Sequence, residues 1–347
     1  MNPFAKGLIT FNLILGPLLT VSSNHWILAW CGLEISTLSI IPLIAQQHHP
    51  RAIEASIKYF LTQAAASTIL LFSSILNTWK LGQWDTMLLF NGVSCMLLTV
   101  AMAMKLGLAP FHLWLPEVLQ GTNTMTALIL TTWQKLAPLS LLIMTSQYLS
   151  TLMLLSLGLA STIIGGWGGL NQTQLRKIMA YSSIAHLGWM TIILTLCSKL
   201  TLLTFYVYTI MTTATFLMIE NLKTNKMSTV MTSWTKIPSL NALMMLTLMS
   251  LAGLPPLTGF LPKWLILQEL TKQHMTALAT LMTIASLLSL FFYLRISYYT
   301  TITLPPNPQL YTQQWRHKVL NTKPYLALTT SLSMMMLPML PMLFSSI

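Results

Sequence analysis

Lys105-Leu-Gly-Leu-Ala-Pro-Phe-His-Leu-Trp-Leu-Pro-Glu117 lies inside an apolar run, 87–118, that is too long to cross a membrane as one helix. The run has 32 residues, so it would reach roughly 48 Å as a straight helix, against about 30 Å of hydrocarbon. Gly107 and Pro110 sit in its middle and break the helical pattern. A second run, 239–271, is also too long and carries Gly253, Pro255, Pro256 and Gly259. Both read as discontinuous helices, which leave backbone groups to be satisfied by surrounding protein or a water-filled cavity.

Composition makes the membrane reading general. Of 347 residues 54% are hydrophobic and only 7% charged, where a soluble domain carries about 25% charge. Apolar runs near twenty residues exclude the short alternating strands of a membrane β-barrel. The fold class is therefore all-α and polytopic. Spanning helices are expected near 3–22, 25–45, 57–78, 87–118, 123–144, 149–170, 175–196, 200–220, 239–271, 275–298 and 324–345, about eleven in all. The first could pass for a signal peptide, but no A-x-A site follows and it is long enough to span.

The net charge of +12 is explained by topology rather than by nucleic acid, because the basic residues fall between apolar segments. With eleven crossings, one side collects twelve of them: Lys6, Arg51, Lys58, Arg176, Lys177, Lys223, Lys226, Lys236, Arg295, Arg316, Lys318 and Lys323. The other side has three, Lys80, Lys199 and Lys272. The N-terminus belongs on the positive side. So does the longest loop, 299–323, which suits either partner contact or plain connection. Cys31, Cys95 and Cys197 are scattered, with no CxxC or Cys/His cluster. No iron–sulfur cluster, structural zinc or disulfide framework is expected, and any redox chemistry belongs to another chain.

Four charges remain inside spans: Glu34, Lys105, Lys135 and Lys263. Each costs about 2.5–3.5 kcal/mol at mid-helix on the insertion scale. Lipid-facing and unpaired, the four would cost roughly 10–14 kcal/mol together. A plainer reading exists for each: a lysine near a helix end can snorkel to the interface, which suits Lys263 best, and Glu34 can be a structural partner for one lysine. The four together point to an ion or proton path. A Glu 4 Å from a Lys contributes about 4 kcal/mol at an effective dielectric near 20, enough to make the pair a proton switch. His186, in Ala180-Tyr-Ser-Ser-Ile-Ala-His-Leu-Gly188, is either a hydrogen-bonded structural histidine or a relay. His112, beside the first break, is read alike. Glu117 and Glu269 fall toward helix ends and are given no role.

The broken runs also resemble each other. Gly107 to Glu117 aligns without gaps on Gly253-Leu-Pro-Pro-Leu-Thr-Gly-Phe-Leu-Pro-Lys263, with five of eleven residues identical at an offset of 146. The breaks fall in the fourth and ninth crossings, an interval that reverses direction. This predicts an inverted five-helix repeat, 3–144 and 149–298, with a final helix at 324–345, all in one membrane domain, 1–347.

On Trp30-Cys-Gly-Leu-Glu34, the Lys105–Glu117 stretch, Ala180–Gly188 and Leu251–Phe260, the chain resembles the antiporter-like membrane subunits of proton-pumping NADH:quinone oxidoreductases (respiratory complex I), among them most those of mammalian mitochondria. The resemblance covers essentially the whole chain. It implies that Glu34 pairs with Lys105, that Lys135 is the central relay, that Lys263 ends the path, and that His186 belongs to a connecting hydrophilic axis. It implies a multi-pass protein of the mitochondrial inner membrane, N-terminus toward the matrix, organelle-encoded and without a presequence. The three extra N-terminal helices of bacterial relatives would be missing. The chain would hold no cofactor; flavin, iron–sulfur clusters and quinone would lie on other subunits. Partners would be other membrane-arm subunits, including neighbouring antiporter-like ones, supernumerary subunits and lipids, with cardiolipin at the basic residues a further expectation. Two alternatives stay open: a stand-alone monovalent cation/proton antiporter, and a scaffold subunit that does not pump.

Overall fold

The structure, a computed structural model, describes residues 2–89, 92–234, 237–302 and 324–338. The helices run in chain order as α1 (Pro3–Ser22), α2 (Trp26–Ile44), α3 (Pro50–Leu81), α4 (Gly92–Leu106), α5 (Trp114–Gly121), α6 (Thr124–Thr131), α7 (Trp133–Thr145) and α8 (Thr151–Gly169). They continue as α9 (Leu175–Leu194), α10 (Ser198–Leu222), α11 (Met227–Ser233), α12 (Pro238–Ala252), α13 (Phe260–Lys272), α14 (Thr276–Ile302) and α15 (Pro324–Met335). Among the described residues there is no β-strand, only the isolated bridges His25–Asp85 and Gln174–Lys226.

Seven of the described helices or helix pairs are long and apolar enough to cross a membrane: α1, α2, α3, α6 with α7, α8, α10 and α14. The other four expected spans coincide with the two broken runs, α9, and α15. Most of the loop 299–323, with Arg316, Lys318 and Lys323, lies outside the described residues, as do Lys236 and 339–345 of the last span. The loop begins later than expected, because α14 continues to Ile302.

Some boundaries differ from expectation for clear reasons. The helix expected at 57–78 starts at Pro50, where Pro occupies the first helical turn and the His49 side chain caps the Arg51 N–H. At 32 residues α3 is about 48 Å long, so its polar first turns extend past a hydrocarbon core of about 30 Å. There Lys58 joins Glu54 at 2.5 Å and Glu117 at 2.6 Å. The span expected at 123–144 contains a break at Thr132, whose N–H still bonds Leu128 O.

Outer faces are apolar and interiors carry the polar groups, the reverse of a soluble protein. Phe4, Phe11, Leu18, Trp79, Leu152, Trp167 and Tyr298 are exposed. Thr20, Ser73, Asn77, Thr145, Ser183, Thr215, Asn241 and Ser250 are buried. Buried hydroxyls mostly donate to the carbonyl three or four residues back, as Ser73 does to Leu70 and Ser183 to Ala180.

The chain divides into two compact units, Met1–Ser161 and Thr162–Ile347. In the first, α3 packs on α2, α4 and α5, and α7 packs on α1, α2 and α4. In the second, α10 packs on α9, α12, α13 and α15. Each unit contains the same two joints. In the first unit a Cβ on Gly16 of α1 would stand 2.7 Å from Ser36 Cβ and 2.8 Å from Gly32 O of α2. In the second a Cβ on Gly165 of α8 would stand 2.7 Å from Ala185 N and 2.9 Å from Tyr181 O of α9. All three positions shift by 149 residues. Glycine is needed at both crossings because only its missing side chain allows the backbones so close.

The other joint is the helix break. Gly107 (φ +77°) ends α4, with Gly107 N–H bonded to Met104 O and Leu108 N–H to Ala103 O. Gly253 (φ +85°) ends α12 with the same two bonds, Gly253 to Ser250 and Leu254 to Met249. This left-handed stop favours glycine at its turning residue. Helices α4 and α12 each have 15 residues, and α5 and α13 each begin eight residues after the stop helix ends, at an offset of 146.

Candidate proton-transfer site

The first break puts Lys105 in the last turn of α4, pointing inward; its side chain is 1% exposed. Trp114, at the start of α5, donates its indole N–H to Met104 O at 3.1 Å, which satisfies a carbonyl at the end of α4 and locks α5 beneath it. Its ring meets Tyr59 of α3 edge-on, with centroids 5.8 Å apart.

Glu34 approaches from α2. Its Oε1 lies 4.0 Å from Lys105 Nζ. Neither atom makes a hydrogen bond to a described residue. The gap exceeds a direct hydrogen bond, so the pair is coupled by charge. Thr37, one turn along α2, donates to Glu34 O at 3.0 Å and lies 3.5 Å from Glu34 Oε2.

Lys135 enters from α7, just after the break at Thr132, and is 3% exposed. Lys105 and Lys135 line one cavity of ≈ 20 Å³ with Ser36, Thr37, Tyr59, Gln63 and Gln134. A single water needs about 10–15 Å³ by this measure, so one or two fit. Gln134 ties the wall together by donating to Ser36 O at 3.2 Å. The sequence reading brought Glu34, Lys105 and Lys135 to notice but not Tyr59, Gln63 or Gln134. Glutamine inside an apolar run was the available signal for the latter two.

In the second unit Lys263, on α13, folds back across Gly253 and donates to Ala252 O at 2.8 Å. Its ammonium thus sits at the negative end of α12, which favours a cation there. This explains its position better than snorkelling. The Nζ is 6.0 Å from the Trp189 ring centroid. His186 lies one turn before Trp189 on α9, with its ring 5.4 Å from that of Tyr208 on α10. Arg295, expected near a loop, instead reaches inward from α14 and donates to Leu170 O and Gln172 O. Buried His112 flanks the first break. Glu117 is held by Lys58, and Glu269 pairs with Lys272 at 2.7 Å. Among the described residues no group of three or more His, Cys, Asp or Glu could hold a metal ion.

Chemically, the first unit offers a carboxylate, two buried amines and a cavity large enough for water. Residues 23–289 match the family model described as NADH:quinone oxidoreductase/Mrp antiporter, TM, and residues 290–344 match NADH dehydrogenase subunit 2 C-terminus. A protein of the turtle Pelomedusa subrufa named NADH-ubiquinone oxidoreductase chain 2 is 61% identical over 99% of both chains. Its namesake in Gallus gallus is 60% identical, again over 99% of both. The resemblance seen in the sequence leaned toward mammals; these relatives are a turtle and a bird. A chain in a structure of respiratory complex I from Thermus thermophilus superposes with a TM-score of 0.83 at 25% identity, covering 97% of this chain and 80% of that one. A chain of the Mrp complex from Dietzia superposes with a TM-score of 0.79 at 17% identity, a likeness of fold.

Proposed function

Because the chain belongs to the family of NADH:quinone oxidoreductase and Mrp antiporter membrane subunits, we propose that it is a proton-translocating membrane-arm subunit of respiratory complex I. It acts as part of a translocase. Electron transfer from NADH to ubiquinone occurs on other subunits, and this chain moves protons. Its place is the mitochondrial inner membrane, with the N-terminus toward the matrix, as the twelve-to-three bias of basic residues supports. Its neighbours are other membrane-arm subunits, supernumerary subunits and lipids, cardiolipin included.

The observation that carries this reading is the Glu34–Lys105 pair beside a cavity shared with Lys135. At 4.0 Å the pair is worth about 4 kcal/mol at an effective dielectric near 20. Moving one charge against 100 mV requires about 2.3 kcal/mol. Forming and breaking this one pair is therefore large enough to drive a proton step against the membrane potential. Quinone reduction elsewhere would bias the pair, Lys135 would relay, and His186 and Lys263 would continue the path in the second unit.

Eleven crossings in two inverted five-helix units, 3–144 and 149–298, plus a last helix at 324–345, are part of the same reading. The doubled joints at constant offsets support it.

The test is Lys135→Ala in the assembled complex, with NADH-driven proton uptake measured in membrane vesicles. Lost translocation supports the assignment, and wild-type pumping with normal redox turnover overturns it. Native-gel separation of solubilised membranes distinguishes the stand-alone antiporter: a complex I subunit runs only with the large NADH-oxidising band.

A further inference from the structure

We propose that Gln63 is a positioning residue of the proton step, whose amide holds the water joining Lys105 to Lys135. The inference rests on the function proposed above and adds a residue to it.

Gln63 sits on α3 facing the cavity, and is only 5% exposed. No described residue hydrogen-bonds its amide. A buried amide left unpaired is costly, so such groups find a protein or water partner. Two other polar side chains of the wall are engaged elsewhere. Gln134 donates to Ser36 O, and Thr37 to Glu34 O. Gln63, alongside the Tyr59 hydroxyl, is placed to organise what fills the space, and only its amide can both donate two hydrogen bonds and accept there.

The occupant is set by the two amines. An ammonium only donates hydrogen bonds, so protonated Lys105 needs an acceptor on the way to Lys135. A cation is disfavoured between two lysines, and Glu34 already supplies the negative charge beside Lys105. Water fits the ≈ 20 Å³ available and both accepts and donates. In the step, water oxygen accepts a proton as a Lys105 Nζ–H bond breaks. One of the water's other O–H bonds breaks as neutral Lys135 Nζ takes that proton. One proton moves and the water is regenerated. The Gln63 carbonyl accepts from this water, or its NH2 donates to it, fixing the oxygen between the two amines.

The experiment compares Gln63→Leu and Gln63→Asn in the assembled complex, matched for amount on a native gel. Gln63→Leu, which removes the amide at similar volume, is expected to slow NADH-driven proton translocation about ten-fold, the worth of one well-made water-mediated bond. It should also change the solvent deuterium isotope effect on translocation. Gln63→Asn keeps the amide and is expected to recover most of the rate with the wild-type isotope effect. Wild-type translocation in Gln63→Leu overturns the proposal. So does a loss that Gln63→Asn does not relieve and that leaves the isotope effect unmoved. Should Gln63→Leu fail to assemble, high-resolution imaging of the wild-type complex decides. A water within hydrogen-bond distance of the Gln63 amide supports the proposal, and none there refutes it. Pumping by Lys135→Ala would sink the wider function; a dead Lys135→Ala beside a normal Gln63→Leu would sink this inference alone.

Discussion

Replacing Glu34 by Gln keeps the shape of the side chain and removes its charge. In the structure that charge stands 4.0 Å from an ammonium whose side chain is 1% exposed. The attraction lost is about 4 kcal/mol at an effective dielectric of 20. Glu34 itself is 21% exposed, so solvent screens part of this. If the whole amount entered the proton step, translocation would slow about a thousand-fold; with screening, at least a ten-fold loss is expected. Glu34→Asp gives a graded check. Withdrawing the carboxylate by one bond, about 1.5 Å, lowers the attraction to about 3 kcal/mol, and a loss of roughly five-fold should follow. The assay is proton uptake driven by NADH in sealed vesicles, scaled to assembled complex. The order wild type, Asp, Gln is the expected outcome. A Gln variant within two-fold of wild type, or an Asp variant worse than Gln, would refute the electrostatic argument.

Three further perturbations test other parts of the structure. Gly16→Val places atoms where a Cβ already stands 2.7 Å from Ser36 Cβ; it should separate α1 from α2 and deplete the assembled complex on a native gel. Lys263→Met removes a charged hydrogen bond to Ala252 O and should destabilise the complex by about 1.5–3 kcal/mol in a thermal-shift assay, with Lys263→Arg milder. Lys58→Met removes ion pairs whose groups are 41–61% exposed; such pairs are worth about 0–1 kcal/mol, so assembly and pumping should stay near wild type.

Much of this was legible in the sequence because membranes permit few choices. The apolar run 87–118 outruns the hydrocarbon, and Gly107 and Gly253 mark where the helices stop. Glu34, Lys105 and Lys135 were legible because charge inside an apolar run is costly and must be explained. That Glu34 meets Lys105 came from resemblance, since no period links residue 34 to residue 105. The cavity was not legible. It is made by six helices meeting, α2 to α7, and the surroundings of Gln63 and Gln134 depend on that meeting. The bond from Lys263 to Ala252 O was not legible, because the sequence shows the nearness of Lys263 to a break but not that its side chain turns back over Gly253. The Lys58–Glu117 pair joins residues 59 apart across α3 and α5, invisible to any local reading.

The two glycine crossings, Gly16 against α2 and Gly165 against α9, are built alike, yet their surroundings differ in charge. Counted by the same 149-residue shift, the place of Glu34 is taken by Ser183 and that of Thr37 by His186. A chain that repeats a joint carries its own control. Whatever a substitution does at both crossings belongs to packing, and whatever it does at the first alone belongs to the carboxylate beside it. Mechanical and electrical contributions, entangled in most transport proteins, can here be separated within one molecule.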